Sequence, residues 1–426
     1  MELNIKNFAR IKEASIKLEG ITVIAGENNT GKSTIGKILF ASFNSLNDID
    51  TKVRLNILNS INRQWESFIL ELMNITKNNI NIYELINNYD IVNHIINVKD
   101  EDIEKAISNI IGEYIGINDK STVEAIRSTA NRIKEYKNIS RGRLSYNIMS
   151  QYYNDLFYSQ INSRVDKDSI AEITIKDCGI LFEFSDDRCL KFEKINSNYN
   201  AFFIDNPFTL DKTPYSYSLS IPDSYLINQI LSKYNKNYMV DEVLVNEVIV
   251  DKTLADEKLI NVYKKLYKAV NGKIIFKDND FYLEFDNFVE PISIHNLSAG
   301  LKSFTIIKML LEKNVLKEND ILVLDEPEIH LHPKWQLLYA EIIVLIQKAF
   351  NLYIVITTHS PYFLEAIELY TKKHKVDDKT NYYLSNIKDN HSEMKLVNDR
   401  IYDIYNEMAA PIEDLEELAD ELGGDE

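Results

Sequence analysis

From Leu3 to Gly26 apolar and polar residues alternate through LNIKNFARIKEASIKLEG and then give way to the short β-branched run ITVIAG. Alternation of period two predicts two strands, and the apolar run predicts a third that ends in a glycine turn. From Thr34 to about residue 170 apolar residues stand three and four apart, as in IYELINNYDIVNHII, so helices are expected. Heptads do not persist over many turns, which argues against a long coiled-coil arm. Alternation returns from Ala171 to Ile195 in AEITIKD, ILFEFSD and CLKFEKI, a meander of short strands, and AFFIDNPF reads as another. Helical spacing resumes near Asp223 and runs through NEVIVDKTLADEKLINVYKKLYKAV. The hairpin GKIIFKDNDFYLEFD then leads into the last block. This order predicts an α/β fold, a mixed sheet flanked by helices, with a discontinuous head (1–45 and 171–410). A helical insertion is expected over 46–170, and an acidic helix or tail over 411–426.

At 426 residues and 45% apolar content, the chain can bury one large core or two smaller ones. It has no run of about 18 or more apolar residues, and MELNIKNFARIKEA lacks the order of a signal peptide, so a cytoplasmic location without membrane contact is expected. Cys178 and Cys189 are too few for a disulfide framework and lack metal-binding spacing. A net charge of −17 repels a polyphosphate backbone unless basic residues gather on one face, so any nucleic-acid contact must be local.

The densest candidate chemistry lies at Gly26-Glu27-Asn28-Asn29-Thr30-Gly31-Lys32-Ser33, after the strand ITVIA and before the helical run that begins near Thr34. In a loop of this spacing, backbone N–H groups from Gly26 through Asn28, Asn29, Thr30 and Gly31 to Thr34 can wrap phosphates. Lys32 reaches the β- and γ-phosphates of ATP, and the Ser33 hydroxyl ligates Mg2+. A glycine turn that happens to match is the plain alternative. Ile321-Leu322-Val323-Leu324-Asp325-Glu326-Pro327 reads as a fully buried strand ending in two acids, where ligands gather in a parallel sheet. Asp325 would hold the metal, and Glu326 would polarise the water that attacks the γ-phosphate. By itself His359, after the buried run Tyr353-Ile354-Val355-Ile356-Thr357-Thr358, is more often a structural hydrogen-bonder than a functional group.

Asn296-Leu297-Ser298-Ala299-Gly300-Leu301-Lys302 resembles the signature of ABC-type ATPases, usually LSGGQ, with Ala299 for the first glycine and Leu301 for the glutamine. A Ser hydroxyl and a glycine backbone at a helix start are retained there. The runs DEPEIHLHPKWQ and THSPYFLEAI, over residues 1–45 and 290–410 as a whole, resemble the RecF/OLD-like branch of ABC ATPases, related also to SMC proteins. Within that branch they look like the ATPase subunits of two bacterial anti-phage systems, Septu and PARIS.

The resemblance implies ATP hydrolysis, with Glu326 and His359 catalytic. It also implies an ATP sandwich in which Ser298, Ala299 and Gly300 serve the nucleotide of a second chain. Neither Gln160 nor Asp205-Asn206 has a context that marks it as the coupling glutamine of that family. With 66 residues after Ser360, no Toprim nuclease domain is expected here. An effector in trans, an HNH or Toprim nuclease, is the implied partner, and nucleic acid or a phage trigger protein is a further candidate. A RecF-like DNA-repair ATPase and a nucleotide-gated dimerisation switch with little turnover are the alternatives.

His330 and His332 could suggest a metal, yet no third ligand stands near, and structural or interfacial roles are expected. The tail places Ile412, Leu415, Leu418, Ala419 and Leu422 at helical spacing, a face for the chain's own core or for a partner. Arg127, Arg132, Lys134, Lys137, Arg141 and Arg143 form a basic stretch that is either a contact surface or a solvated helix face.

Overall fold

The computed structural model describes residues 1–76, 89–114, 120–166, 169–193, 199–212, 219–235, 257–285 and 287–409, with Leu85, Leu415 and Leu418 besides. The tail expected over 411–426 lies outside these residues apart from Leu415 and Leu418, which are exposed. Residues 236–256 of the expected second helical run lie outside them too. The chain divides into two compact units, one of residues 1–45 with 152–426 and the other of residues 46–151.

The first unit is built on one large sheet. Strands β1 (Glu2–Phe8), β2 (Ile11–Lys17), β4 (Ala171–Lys176), β5 (Ile180–Ser185) and β6 (Arg188–Glu193) make an antiparallel half in the order β6-β5-β4-β1-β2. The other half holds β13 (Thr380–Lys388), β3 (Ile21–Ala25), β12 (Tyr353–Thr358), β11 (Ile321–Asp325) and β7 (Ala201–Ile204), all parallel, in that order. Strand β14 (His391–Leu396) joins the halves. The two halves show the sequence rule for strands in two forms. β4 and β5 bury every second residue, whereas all of ITVIA and the apolar part of ILVLD are buried, as befits parallel strands covered on both faces. Burying each such Val, Leu or Ile stabilises by roughly 1.5–3 kcal/mol.

Helix α1 (Lys32–Asn44) lies close on the parallel half, and a Cβ on its Gly36 would stand 2.5 Å from Val323 Cγ1. A smaller sheet, of β8 (Lys273–Lys277), β9 (Asp280–Glu284) and β10 (Ile292–Ser293), contributes Ile274, Phe281 and Leu283 to the same core.

The second unit packs helices around Trp65, Phe68, Ile103, Ile107 and Ile133. Its boundary falls between Gln151 and Tyr152, short of the residue 170 that helical periodicity implied. Packing gives the reason. The helix Arg141–Phe157 crosses the boundary, and its last turn carries aromatics that sit on the antiparallel half of the sheet. Tyr153 is fully buried, with its ring 4.7 Å from Phe184 and its hydroxyl 2.9 Å from Ser42 Oγ, and Phe157 meets Phe8 edge-on at 4.8 Å. The chain then docks along β1, where Ala9 N–H donates to Ile161 O at 2.8 Å.

Candidate functional site

The carboxyl ends of β3, β11 and β12 are neighbours in the parallel half, and the sequence places a glycine loop, two acids and a histidine there. The loop after β3 turns at Gly26 (φ 148°) and Gly31 (φ 91°), with Asn29 also left-handed (φ 66°). Close approach by other strands makes both glycines necessary. A Cβ on Gly26 would lie 2.1 Å from the Ser385 carbonyl oxygen, and one on Gly31 would lie 2.8 Å from Ser392 Oγ. Ser385 Oγ donates to Thr30 O at 3.0 Å, and Thr30 Oγ1 donates to Glu27 O at 2.8 Å, so the loop is anchored before any ligand arrives. Gly31 caps α1, whose N-terminal N–H groups open toward the loop.

Lys32 is buried at 3% exposure and folds back over the loop, donating to Gly26 O at 2.9 Å and to Glu27 O at 2.6 Å. Burial lowers its pKa, and the charges of Glu326 and Asp325 oppose that shift. Its Nζ lies 3.7 Å from Glu326 Oε1.

Thr357, fully buried on β12, organises the acids. Its hydroxyl donates to Asp325 Oδ1 at 2.5 Å and accepts the Glu326 N–H at 3.0 Å. Burial pushes the Asp325 carboxyl above its ordinary value. The Thr357 hydroxyl bonded to it and the Ser33 hydroxyl nearby pull it back, and Glu326 pushes it up again. Glu326 adopts φ 48°, a left-handed conformation that costs a non-glycine residue about 1–2 kcal/mol. Glu326 Oε1 stands 3.4 Å from His359 Nδ1.

The signature segment stands apart from this group. Ser298 caps helix α2 (Ala299–Glu312), its Oγ accepting the Leu301 N–H at 3.3 Å. Gly300 packs on the segment after β11, where a Cβ would lie 3.0 Å from His330 O. His330 meets Phe208 edge-on at 5.5 Å, and His332 caps helix α3 (Pro333–Phe350), its Nδ1 accepting the Lys334 N–H at 3.3 Å.

Several residues near the site were given no role by the sequence. Lys302 is 2% exposed and pairs with both oxygens of Asp211 at 2.6 and 2.7 Å, fastening the helix start at 299 to the loop after β7. Asp205 follows Ile204, whose partner in register is Leu324, and therefore comes level with Asp325. Burial pushes its carboxyl up, and Asp223 and Asp325 add to the shift. This strand end, not Gln160, adjoins the acid pair. No motif marked Asp205, Asp211 or Thr357, and the pairing of distant strands was the missing signal. In the helical unit, two members of the basic stretch have acidic partners: Arg127 lies 3.5 Å from Glu104 and Lys137 lies 2.9 Å from Asp100.

A glycine loop closed over a buried lysine, with an acid pair at the end of a nearby parallel strand, defines an α/β P-loop ATPase architecture. Residues 1–364 match the AAA ATPase domain family, and the chain belongs to that family. A retron Vc95 probable ATPase of Vibrio cholerae serotype O1 biovar El Tor is 24% identical over 391 residues, covering 85% of this chain and 70% of that protein.

Among solved structures, an SMC head bound to the C-terminal winged-helix domain of ScpA is 11% identical with a TM-score of 0.39, over 93% of this chain and 96% of that one. The SMC head domain from Thermotoga maritima is 11% identical with a TM-score of 0.34, over 93% and 98%. Likeness at that level carries no weight for function, so the assignment rests on the family and on the sheet itself. Among the described residues no helix is long and apolar enough to cross a membrane.

Proposed function

We propose that the chain binds and hydrolyses ATP at the 26–33 loop, and that it does so as a pair of chains acting on an effector protein in anti-phage defence. The observation that carries the hydrolytic part is the meeting of Lys32, Asp325, Glu326 and His359 at adjoining strand ends, with Glu326 Oε1 within 4 Å of both Lys32 Nζ and His359 Nδ1. Lys32, held against loop carbonyls, would exchange them for the β- and γ-phosphate oxygens, whose charge favours its protonated form. The N–H groups around Asn28, Asn29, Thr30, Gly31, Ser33 and Thr34 would cradle the phosphates. Glu326 would accept the proton of the attacking water, and His359 would donate to the γ-phosphate oxygen on which charge grows.

The donor set suits Mg2+. Ser33 and Asp325 offer hard oxygens on neighbouring elements, and Thr357 fixes the carboxylate through its hydroxyl. When bound, Mg2+ would neutralise charge on the β- and γ-phosphates. Ser298, Ala299 and Gly300 would face the nucleotide of the second chain, because a helix start is a fitting site for a phosphate.

The defence role has its support in the resemblance of DEPEIHLHPKWQ and THSPYFLEAI to ATPases of anti-phage systems, and in the similarity to a protein named as the probable ATPase of a retron. In this reading the ATPase holds or releases a partner effector, a nuclease, in the cytoplasm. Two measurements test it. The purified chain should turn over ATP with Mg2+ and stop when the metal is chelated. Affinity purification from the native host should bring down one stoichiometric partner enzyme, whereas ATP turnover stimulated by duplex DNA without such a partner would favour the DNA-repair alternative.

A further inference from the structure

Glu328 lies three residues beyond Asp325, 2% exposed, in the turn that leaves β11. Its Oε1 accepts the Thr358 hydroxyl at 2.5 Å and the His359 backbone N–H at 3.2 Å, and lies 3.9 Å from His359 Nδ1. Its Oε2 is buried without a hydrogen-bond partner among the described residues. Gln336, on α3, completes the tie. Its Nε2 donates to Leu331 O at 3.1 Å and to Glu328 O at 3.4 Å, and its Oε1 accepts from Ser360 Oγ at 3.3 Å. The turn after the acid pair and the turn that carries His359 are thus strapped together by two side chains.

An orphaned buried oxygen is costly, so simple packing does not explain a carboxyl at this place. An apolar residue would fill the same space without that cost. What the carboxyl does that an apolar side chain cannot is accept two donors from consecutive residues, Thr358 and His359, and thereby fix the backbone at the end of β12. With that backbone fixed, the imidazole of His359 faces Glu326 at 3.4 Å. Freed from it, the ring would sample other directions at a strand end where it is 43% exposed.

We propose that Glu328 is a positioning residue for ATP hydrolysis, holding His359 in the orientation that completes the site. The inference rests on the reading that Glu326 and His359 serve hydrolysis. Because the carboxyl acts only as an acceptor for two donors, the Gln side chain can replace it while Ala cannot. The segment that Glu328 anchors also carries His330, against which Gly300 of the signature packs, so displacement of that segment would reach His359 through the same tie.

The test is a mutant cycle on the full chain, with turnover at saturating ATP, ATP affinity and thermal melting read together. Glu328→Ala should lower turnover about 10- to 30-fold with ATP affinity within about twofold, and Glu328→Gln should return to within about threefold of wild type. Glu328→Ala combined with His359→Ala should be no slower than His359→Ala alone, because the carboxyl acts only through the histidine. Wild-type turnover in Glu328→Ala, a Gln variant as slow as the Ala variant, or losses that multiply in the double variant would each overturn the proposal. If Glu328→Ala does not fold, Thr358→Val replaces it in the same cycle with the same expected non-additivity. Glu326→Gln separates the two levels of the argument. Normal turnover in that variant sinks the hydrolysis reading, whereas an inactive Glu326→Gln beside a fully active Glu328→Ala sinks only this inference.

Discussion

Lys32, Asp325, Glu326 and His359 converge where three parallel strands end side by side, whereas Ser298 and Gly300 stand at a helix start packed on the turn after β11. The first group is interlocked. Thr357 joins the two acids, and Glu328 and Gln336 tie in the histidine turn. In the second group Ser298 uses its hydroxyl to cap its own helix, while Lys302 pairs with Asp211 and Gly300 packs on His330. In the proposed function, one half of the chemistry is therefore preorganised within a chain, and the other half would meet its nucleotide only on a second chain. Preorganised charge is where transition-state stabilisation is largest, and a helix start is a generic phosphate contact, so the two groups should fail differently when altered.

The sharpest failure should come from Glu326→Gln. Loss of a general base predicts a fall of about 100- to 10,000-fold in turnover with ATP binding retained, and a dimer that persists on size-exclusion chromatography when ATP is present. A variant that still hydrolysed ATP at the wild-type rate would remove Glu326 from the reaction. Lys32→Ala acts one step earlier. Removing charged hydrogen bonds worth about 1.5–3 kcal/mol predicts ATP affinity lower by roughly 10- to 100-fold, measured by titration calorimetry.

The smallest effect lies outside both groups, at Glu341, where burial is outweighed by Lys265, Lys373 and His374, so that its pKa sits at about 2. A folded-state pKa below the unfolded one gives stability that is present above about pH 4.5 and fades as the pH falls toward about 2. Glu341→Gln should accordingly melt lower than wild type near neutral pH, with the gap closing in acid. A gap that widened in acid would contradict that sign.

Which parts of this could be read from the chain depends on how far apart the cooperating residues stand. The glycine loop and the acid pair were legible because each is a continuous run whose neighbours, an apolar strand before and a helix after, carry their own periodicity. Thr357, Asp205 and Glu328 were not. Thr357 matters through a register that pairs it with Asp325, Asp205 through one that pairs Ile204 with Leu324, and Glu328 through donors about thirty residues away. Lys302 and Asp211 are 91 residues apart, and no local pattern announces their pairing. The unit boundary was missed for a related reason. Helical spacing in 141–157 is the same whichever core it faces, and it is contacts with Phe182, Phe184 and Ser42 that show Tyr153 belongs with the head. The basic stretch was legible as charge but not as surface, since Glu104 and Asp100 occupy two of its members from elsewhere in the chain.

The difference between the interlocked group and the waiting one is tested most directly by mixing two inactive chains. Lys32→Ala retains an intact signature, and Ser298→Arg retains an intact glycine loop and acid pair. If the nucleotide is shared between two chains, an equimolar mixture should recover about a quarter of wild-type ATP turnover, because half of the dimers are mixed and each mixed dimer holds one complete site. Full activity of Ser298→Arg alone, or a mixture as inactive as its components although mixed dimers form, would contradict the shared site.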